Sequence, residues 1–253
     1  MLKRFAQILA LFITVSRATQ AEVLIVADEF PAMQVIADKL KRDENLETKL
    51  VWQTNLPPAL APFQAVIVYI HKELSAPAED AFIEYAENGG KLVVLHHSIS
   101  SGKRKNRRWF SFLGVALPEG ELNHGGYKWI EGVDFDLVNL ATNHFIMTNK
   151  LSYPKCISFA SASATNSPRT LPVFTLHDTE VYLNHVHTEP HELLMGLKYT
   201  DAKTGITYAQ DRAGWAKRAG KGWIIYFAPG HTQHDFEDPN YGQLVVNAVI
   251  WRP

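Results

Sequence analysis

AVIVYIHKELSAPAEDAFIEYAENGGKLVVLHHS, residues 65–98, is the stretch on which the fold turns. Its two ends, Ala65–Ile70 and Lys91–Leu95, are almost unbroken apolar runs rich in β-branched residues. A strand with one wet face alternates, so unbroken runs predict strands covered on both faces. Between them Ser75 stands at a helix start, Ala78, Phe82 and Tyr85 fall on one helical face, and Gly89-Gly90 stops the helix. A buried strand, a helix and a second buried strand in this order make a right-handed parallel crossover.

Working outward, Glu22–Ala27 (EVLIVA) reads as another buried strand, followed by a helix between Pro31 and Arg42 with Val35, Ile36 and Leu40 at helical spacing. Glu47–Gln53 reads as a strand, and Pro57, Pro58 and Pro62 mark a loop. Near the C-terminus, Gly214–Lys217, the turn Arg218–Gly222 and Trp223–Ala228 (WIIYFA) predict a hairpin. Asp238 and Pro239 then open a helix whose apolar stripe is Tyr241, Leu244, Val245 and Ala248. The middle, from about Gly102 to Gly220, is less patterned: a short helix around Trp109, Phe110 and Leu113, and strands in Tyr127–Val138, Leu171–Leu183 and Leu193–Tyr199, whose order the pattern leaves open. With no repeat or linker, residues 22–253 are expected to form one domain.

Composition excludes several classes. Of 253 residues, 46% are hydrophobic and 20% charged, which suits a packed globular chain and not a disordered or polytopic membrane protein. Net charge is -1, and the first 21 residues hold Lys3, Arg4 and Arg17 without an acid, so the remainder is more acidic still. No nucleic-acid partner is expected from such a balance. The single cysteine, Cys156, has no partner for an internal disulfide. Lys3 and Arg4, the apolar run Phe5–Val15, and small residues at Ala18 and Ala21 predict a secretory signal over residues 1–21, and hence a secreted or periplasmic protein without stable membrane insertion. An uncleaved anchor is the alternative.

The chemistry-bearing residues follow the strands. Ala65–Ile70 leads into His71, Lys91–Leu95 into His96 and His97, Trp223–Ala228 into His231, and Asp28 with Glu29 follows Glu22–Ala27. Loops at the carboxyl ends of parallel strands share one rim, where ligands bind in open α/β sheets. One such histidine alone is an ordinary loop residue. Several together, with carboxylates, suit proton transfer or a divalent metal such as zinc. The spacing is not that of a sequence-local zinc motif, so a metal would require tertiary convergence.

Other features have quieter readings. His185, His187 and His191 form a dense tract that could chelate through an HxH pair, and it is read as a solvated loop near Pro190. His234, Asp235 and Glu237 could orient His231, while Asp238 is read as a helix cap. The run Lys103–Arg108 is read as solvated surface or an anion site. Trp109, Tyr127, Trp129, Tyr182 and Trp215 could stack on sugar rings, whereas Trp223 and Trp251 are read as core.

Four pieces, VIVYIHKELSAPAEDAFIEYAENGGKLVVLHHS, TNHFIMT, DTEVYLN and RAGKGWIIYFAPGHTQHDFEDPNYGQLVVNAVIW, resemble in order the landmarks of the trehalose-utilisation ThuA-like family. The resemblance implies an α/β, flavodoxin-like fold of the class I glutamine amidotransferase type, a mostly parallel sheet with helices on both faces. It implies a role in utilising trehalose, another disaccharide or a keto-sugar, with a small carbohydrate as partner. Carried over by position, it places catalytic groups at His96, His144, His231 and Glu180, the three histidines also being the metal candidates. His71, His97, Tyr182 and Asp28 are the substrate-binding candidates. Where amidotransferases carry a nucleophilic cysteine the elbow here reads His96-His97-Ser98, which argues against cysteine-dependent glutamine hydrolysis and leaves Ser98 as a weak replacement. A sugar-directed hydrolase, lyase or isomerase is expected, with a non-catalytic sugar-binding or accessory protein as the alternative.

Overall fold

The computed structural model describes residues 22–161 and 167–253; the signal expected over residues 1–21 lies outside them. In chain order the elements are β1 (Glu22–Ala27), α1 (Phe30–Glu44), β2 (Glu47–Val51), β3 (Ala65–Tyr69), α2 (Ala76–Glu87), β4 (Lys91–Leu95), α3 (Arg107–Leu113), β5 (Val115–Ala116) and β6 (Lys128–Asn139). Then come α4 (Phe145–Thr148), β7 (Lys155–Phe159), β8 (Arg169–Leu183), β9 (Val186–His187), β10 (Glu192–Thr200), β11 (Thr207–Ala219), β12 (Gly222–Phe227), α5 (Gln233–Glu237) and α6 (Pro239–Ile250).

Ten strands form one sheet in the order β2-β1-β3-β4-β12-β11-β10-β6-β8-β7. The first five run parallel, as the buried runs predict. Helices cover both faces of that half. Val23, Ile25 and Ala27 share a core with Met33, Ile36 and Leu40 of α1 and Leu244 and Val245 of α6. Leu24 and Val26, pointing the other way, pack with Phe82 and Ala86 of α2 and Trp109 of α3. α6 begins as expected: the Asp238 carboxylate accepts from the amides of Asn240 and Tyr241. Ser75 stands at the N-cap of α2, but its hydroxyl makes no cap bond.

The expectation of a mostly parallel, flavodoxin-like sheet needs correction. Every strand pair from β12 through β11, β10, β6 and β8 to β7 is antiparallel, so the sheet is mixed. The physical reason is connectivity: β11 and β12 join through a tight turn and β10 and β11 through a short loop, and such links reverse the chain, whereas parallel pairing needs a long crossover. The β6–β8 pair is also irregular, with register shifts between Ile130 and Val133 and between Val133 and Phe135. Gly132 and Asp178 there have φ of +67° and +48°. Such bulges bend a ribbon. Beyond the bend, Trp129 pairs with Tyr182 and Ile130 with Val181, and this far end of the ribbon reaches the rim of the parallel half. Among the described residues no helix is long and apolar enough to cross a membrane.

Candidate functional site

The loops after β1, β3, β4 and β12 open on one edge because their strands are parallel. The best-anchored is the turn after β3. Asp28 accepts from the amides of His71 (2.8 Å) and Lys72 (2.7 Å). Ser98 accepts from the Ile70 amide (3.0 Å) and donates to Val68 O (2.9 Å). Lys103, 1% exposed, donates from Nζ to Ile70 O and His71 O, both at 2.8 Å. The turn carrying His71 is thus fixed by a carboxylate, a hydroxyl and an ammonium buried beneath it. Burial acts to raise the Asp28 pKa, but its hydrogen bonds from His71 and Lys72 outweigh that and leave it lowered.

His96 occupies the elbow after β4 with φ +47°, a left-handed conformation that a residue with a Cβ rarely adopts. Two contacts hold it there. Nδ1 lies 2.6 Å from Ala228 O, and the ring stacks on Tyr182, centroids 4.7 Å apart and planes within 9°. An Nδ1–H bond to that carbonyl leaves the Nε2 lone pair facing inward. The loop after β12 brings His231, steered by Tyr69, whose hydroxyl donates to Gly230 O (2.9 Å). Asp235 ties the same loop to the ribbon, accepting from the Thr232 amide (3.0 Å) and the Thr179 hydroxyl (2.8 Å).

Glu180, 1% exposed, projects from β8 into the middle of these rings. Its Oε2 lies 2.9 Å from His96 Nε2, 3.3 Å from His231 Nδ1 and 3.6 Å from His97 Nε2. His96 Nε2 and His231 Nδ1 are 3.2 Å apart. Neither Glu180 oxygen has a hydrogen bond of good geometry, nor does either nitrogen of His71 or Nδ1 of His97. One nitrogen from each of His71, His96, His97 and His231 converges on a common space, the four atoms lying within 4.8 Å of one another, while His71 Nδ1 lies 3.6 Å from Asp28 and Glu29.

Electrostatics separates the rings. Burial pushes the Glu180 carboxyl up, but the facing His231 and His96 rings more than reverse this and hold it well below the usual carboxylate range. Its carboxylate in turn raises the His231 imidazole. His96 is lowered, by burial first. His97 is pushed down to about 2, by burial and then by the neighbouring His96 and His71. Within one site, therefore, the surroundings favour the ionised form of Glu180 and the protonated form of His231 and disfavour protonation of His96 and His97.

The structure thus brings together His71, His96, His97, His231, Glu180 and Tyr182. Asp28 is next to His71 but has both oxygens on backbone amides, so it positions the turn. His144 is a correction. Its Nδ1 accepts from the Ile146 amide (3.2 Å) to cap α4, and its ring packs on Trp251, centroids 5.0 Å apart. Trp251 in turn meets Trp223 and the Lys91 ammonium, at the starts of β12 and β4. His144 therefore lies at the opposite edge of the sheet and cannot share a ligand with His96 and His231.

Other readings also shift. In the basic run Lys103–Arg108, Lys103 is buried, Arg104 donates to Leu117 O, and Lys105 and Arg108 pair with Glu73 and Asp80. His185 is not solvated but 4% exposed, stacked on Tyr127 at 5.2 Å, and His187 stacks on His191 at 4.0 Å. Tyr127, Tyr182, Trp109 and Trp215 are buried, while Trp129 is 50% exposed. Sequence reasoning missed the anchoring roles of Ser98, Lys103 and Tyr69, and no local signal marks them: each acts on a carbonyl or amide distant in sequence or on another strand.

A family model described as ThuA, trehalose utilisation, matches residues 15–252. A ThuA-like protein from Bacteroides uniformis superposes with a TM-score of 0.63 at 18% identity, covering 94% of each chain. One from Parabacteroides merdae gives 0.63 at 14%, covering 92% of this chain and 89% of that one. Agd3, a carbohydrate deacetylase, gives 0.54 at 9%, covering 90% of this chain and 32% of its own. At these identities the likeness concerns the fold. No curated protein matches this chain.

Proposed function

The chain belongs to the ThuA, trehalose utilisation, family, and from that premise we propose that it is an exported enzyme acting on a disaccharide or keto-sugar by proton transfer among Glu180 and the rim histidines. One observation carries the reading: a buried carboxylate 2.9, 3.3 and 3.6 Å from three imidazole nitrogens, two from the turn after β4 and one from the loop after β12. Elimination, isomerisation and hydrolysis at a sugar each need a group that takes a proton and one that gives it, both within reach of one substrate. His231 and His97, the partly exposed rings, face substrate in this reading. Buried Glu180 and His96 set their orientation and charge. Tyr182 and His71 complete the wall.

The test is turnover of trehalose, related disaccharides and their keto forms, followed by product chromatography. Wild type is expected to convert at least one, and Glu180→Gln or His231→Ala to lower kcat by roughly a hundredfold or more. Unchanged turnover in both variants would remove the reading. A non-catalytic sugar-binding role draws on one feature, the exposed Trp129 beside Tyr182, since aromatic faces stack on sugar rings. It predicts that sugars raise the melting temperature and none is converted. Export is supported by Lys3, Arg4 and Phe5–Val15 and predicts a mature N-terminus near Glu22 in the secreted or periplasmic fraction; full-length protein confined to cytoplasm would contradict it.

A further inference from the structure

Four imidazoles at the rim, His71, His96, His97 and His231, each present one ring nitrogen such that all four atoms lie within 4.8 Å of one another. A tetrahedral zinc with Zn–N bonds of about 2.0–2.1 Å places its nitrogens about 3.4 Å apart. The 3.2 Å between His96 Nε2 and His231 Nδ1 is close to that edge. Ring centroids of the other pairs run from 4.1 Å for His71–His97 and His96–His97, through 5.4 Å for His97–His231 and 5.8 Å for His71–His96, to 6.3 Å for His71–His231, with the four ligand nitrogens all inside 4.8 Å of one another.

Three further observations point the same way. The inward lone pair of His96 is set by its outer nitrogen on the Ala228 carbonyl, 2.6 Å away, the arrangement that orients metal-binding histidines. His71 Nε2, His97 Nδ1 and Glu180 Oε1 are buried without a hydrogen-bond partner, a costly condition unless something else satisfies them, while His71 Nδ1 faces Asp28 and Glu29 at 3.6 Å and Glu180 Oε2 faces the imidazoles. Finally, the ion-pair partners of Glu180 among the described residues are all histidines. With no lysine or arginine there, a buried carboxylate and inward lone pairs leave a place for positive charge.

We propose that His71, His96, His97 and His231 bind one divalent transition-metal ion of the zinc class, with the Glu180 carboxylate beside it offsetting its charge. Imidazole nitrogen suits zinc, nickel, copper and iron over calcium or magnesium. The ligand set differs from that expected from sequence, because His144 lies at the far edge and His71 and His97 take its place. The proposal shares the site of the reading above and rests on the same convergence, but not on any sugar chemistry.

The experiment uses mature protein stripped with chelator and titrated with zinc chloride by calorimetry, with metal content by mass spectrometry and cobalt(II) absorption as a spectroscopic reading. One equivalent per chain is expected, with a raised melting temperature and visible cobalt bands. His97→Ala and His231→Ala should each weaken binding roughly tenfold or more, while the exposed His234→Ala and the distant His144→Ala should bind as wild type. Circular dichroism confirms that each variant is folded, and His97→Asn replaces any that is not. No zinc uptake by folded wild type, or full affinity in the His97→Ala/His231→Ala double variant, overturns the site. Sugar turnover by rigorously metal-free protein would separate the outcomes: with no zinc uptake it leaves the enzyme reading standing and removes the metal. Stoichiometric zinc in a protein that converts no sugar does the reverse.

Discussion

Ser98 stands two residues beyond the elbow, where a replacement nucleophile could be sought, yet its hydroxyl is 2.9 Å from Val68 O and 3.0 Å from the Ile70 amide, in a side chain 2% exposed. Its role is to bolt β4 to the turn that carries His71. Ser98→Ala is therefore expected to cost about 1–3 kcal/mol of stability, read as a lower urea midpoint, with turnover per folded molecule kept. The opposite pattern, stability kept and turnover lost, would make it a nucleophile. His185 invites a pH measurement. Burial first, then His187, Arg212 and His96, push its imidazole down to about 3 from 6.5. Between those values the unfolded chain binds the proton and the folded chain does not. Stability should thus fall as pH drops from 6.5 toward 3, by up to about 1.4 kcal/mol per pH unit for this ring. His185→Phe, which keeps the stacking on Tyr127, should flatten the slope of unfolding free energy against pH; an unchanged slope would assign it to other groups.

At the scale of elements, what could be read was what is local. β1, β3, β4 and β12 are short runs buried at all but one position or throughout, and a continuous apolar stretch announces such a strand without knowledge of its neighbours. The strand-end histidines came with them. β6 and β8 are different: the first half of β6 is largely exposed, and their path bends at Gly132 and Asp178. Pairing partners 35–55 residues apart are chosen by long-range packing, so neither strand order nor the arrival of Glu180 at the rim is written locally. Glu180 was reached through family resemblance alone, and the same route misplaced His144, whose local motif serves a helix cap. The loop after β12 offers its own test. Gly230 has φ +108°, and a Cβ there would stand 2.8 Å from Phe236 Cζ and 2.9 Å from the Tyr241 hydroxyl. Gly230→Ala should destabilise by about 1–3 kcal/mol and, by moving His231, lower turnover more than a remote change of equal stability cost. Equal losses would mean that the loop does not position His231.

For the whole molecule, a parallel half supplies the histidines and a bent antiparallel ribbon supplies the carboxylate and the aromatic wall, so the centre exists only where the two halves of one sheet meet. This division explains why an acidic chain with a single exposed cysteine can still assemble a chemically dense site. In the function proposed above, substrate would enter between His97 and His231 on one side and Trp129 and Tyr182 on the other. The most direct measurement is a crystal structure of Glu180→Gln protein soaked with a keto-disaccharide. The account predicts a sugar ring at that mouth, with an oxygen within about 3.2 Å of a His97 or His231 nitrogen. Sugar seated instead elsewhere, as in the groove of about 450 Å³ lined by Pro58, Phe63 and Tyr85, with the histidine rim empty, would contradict it.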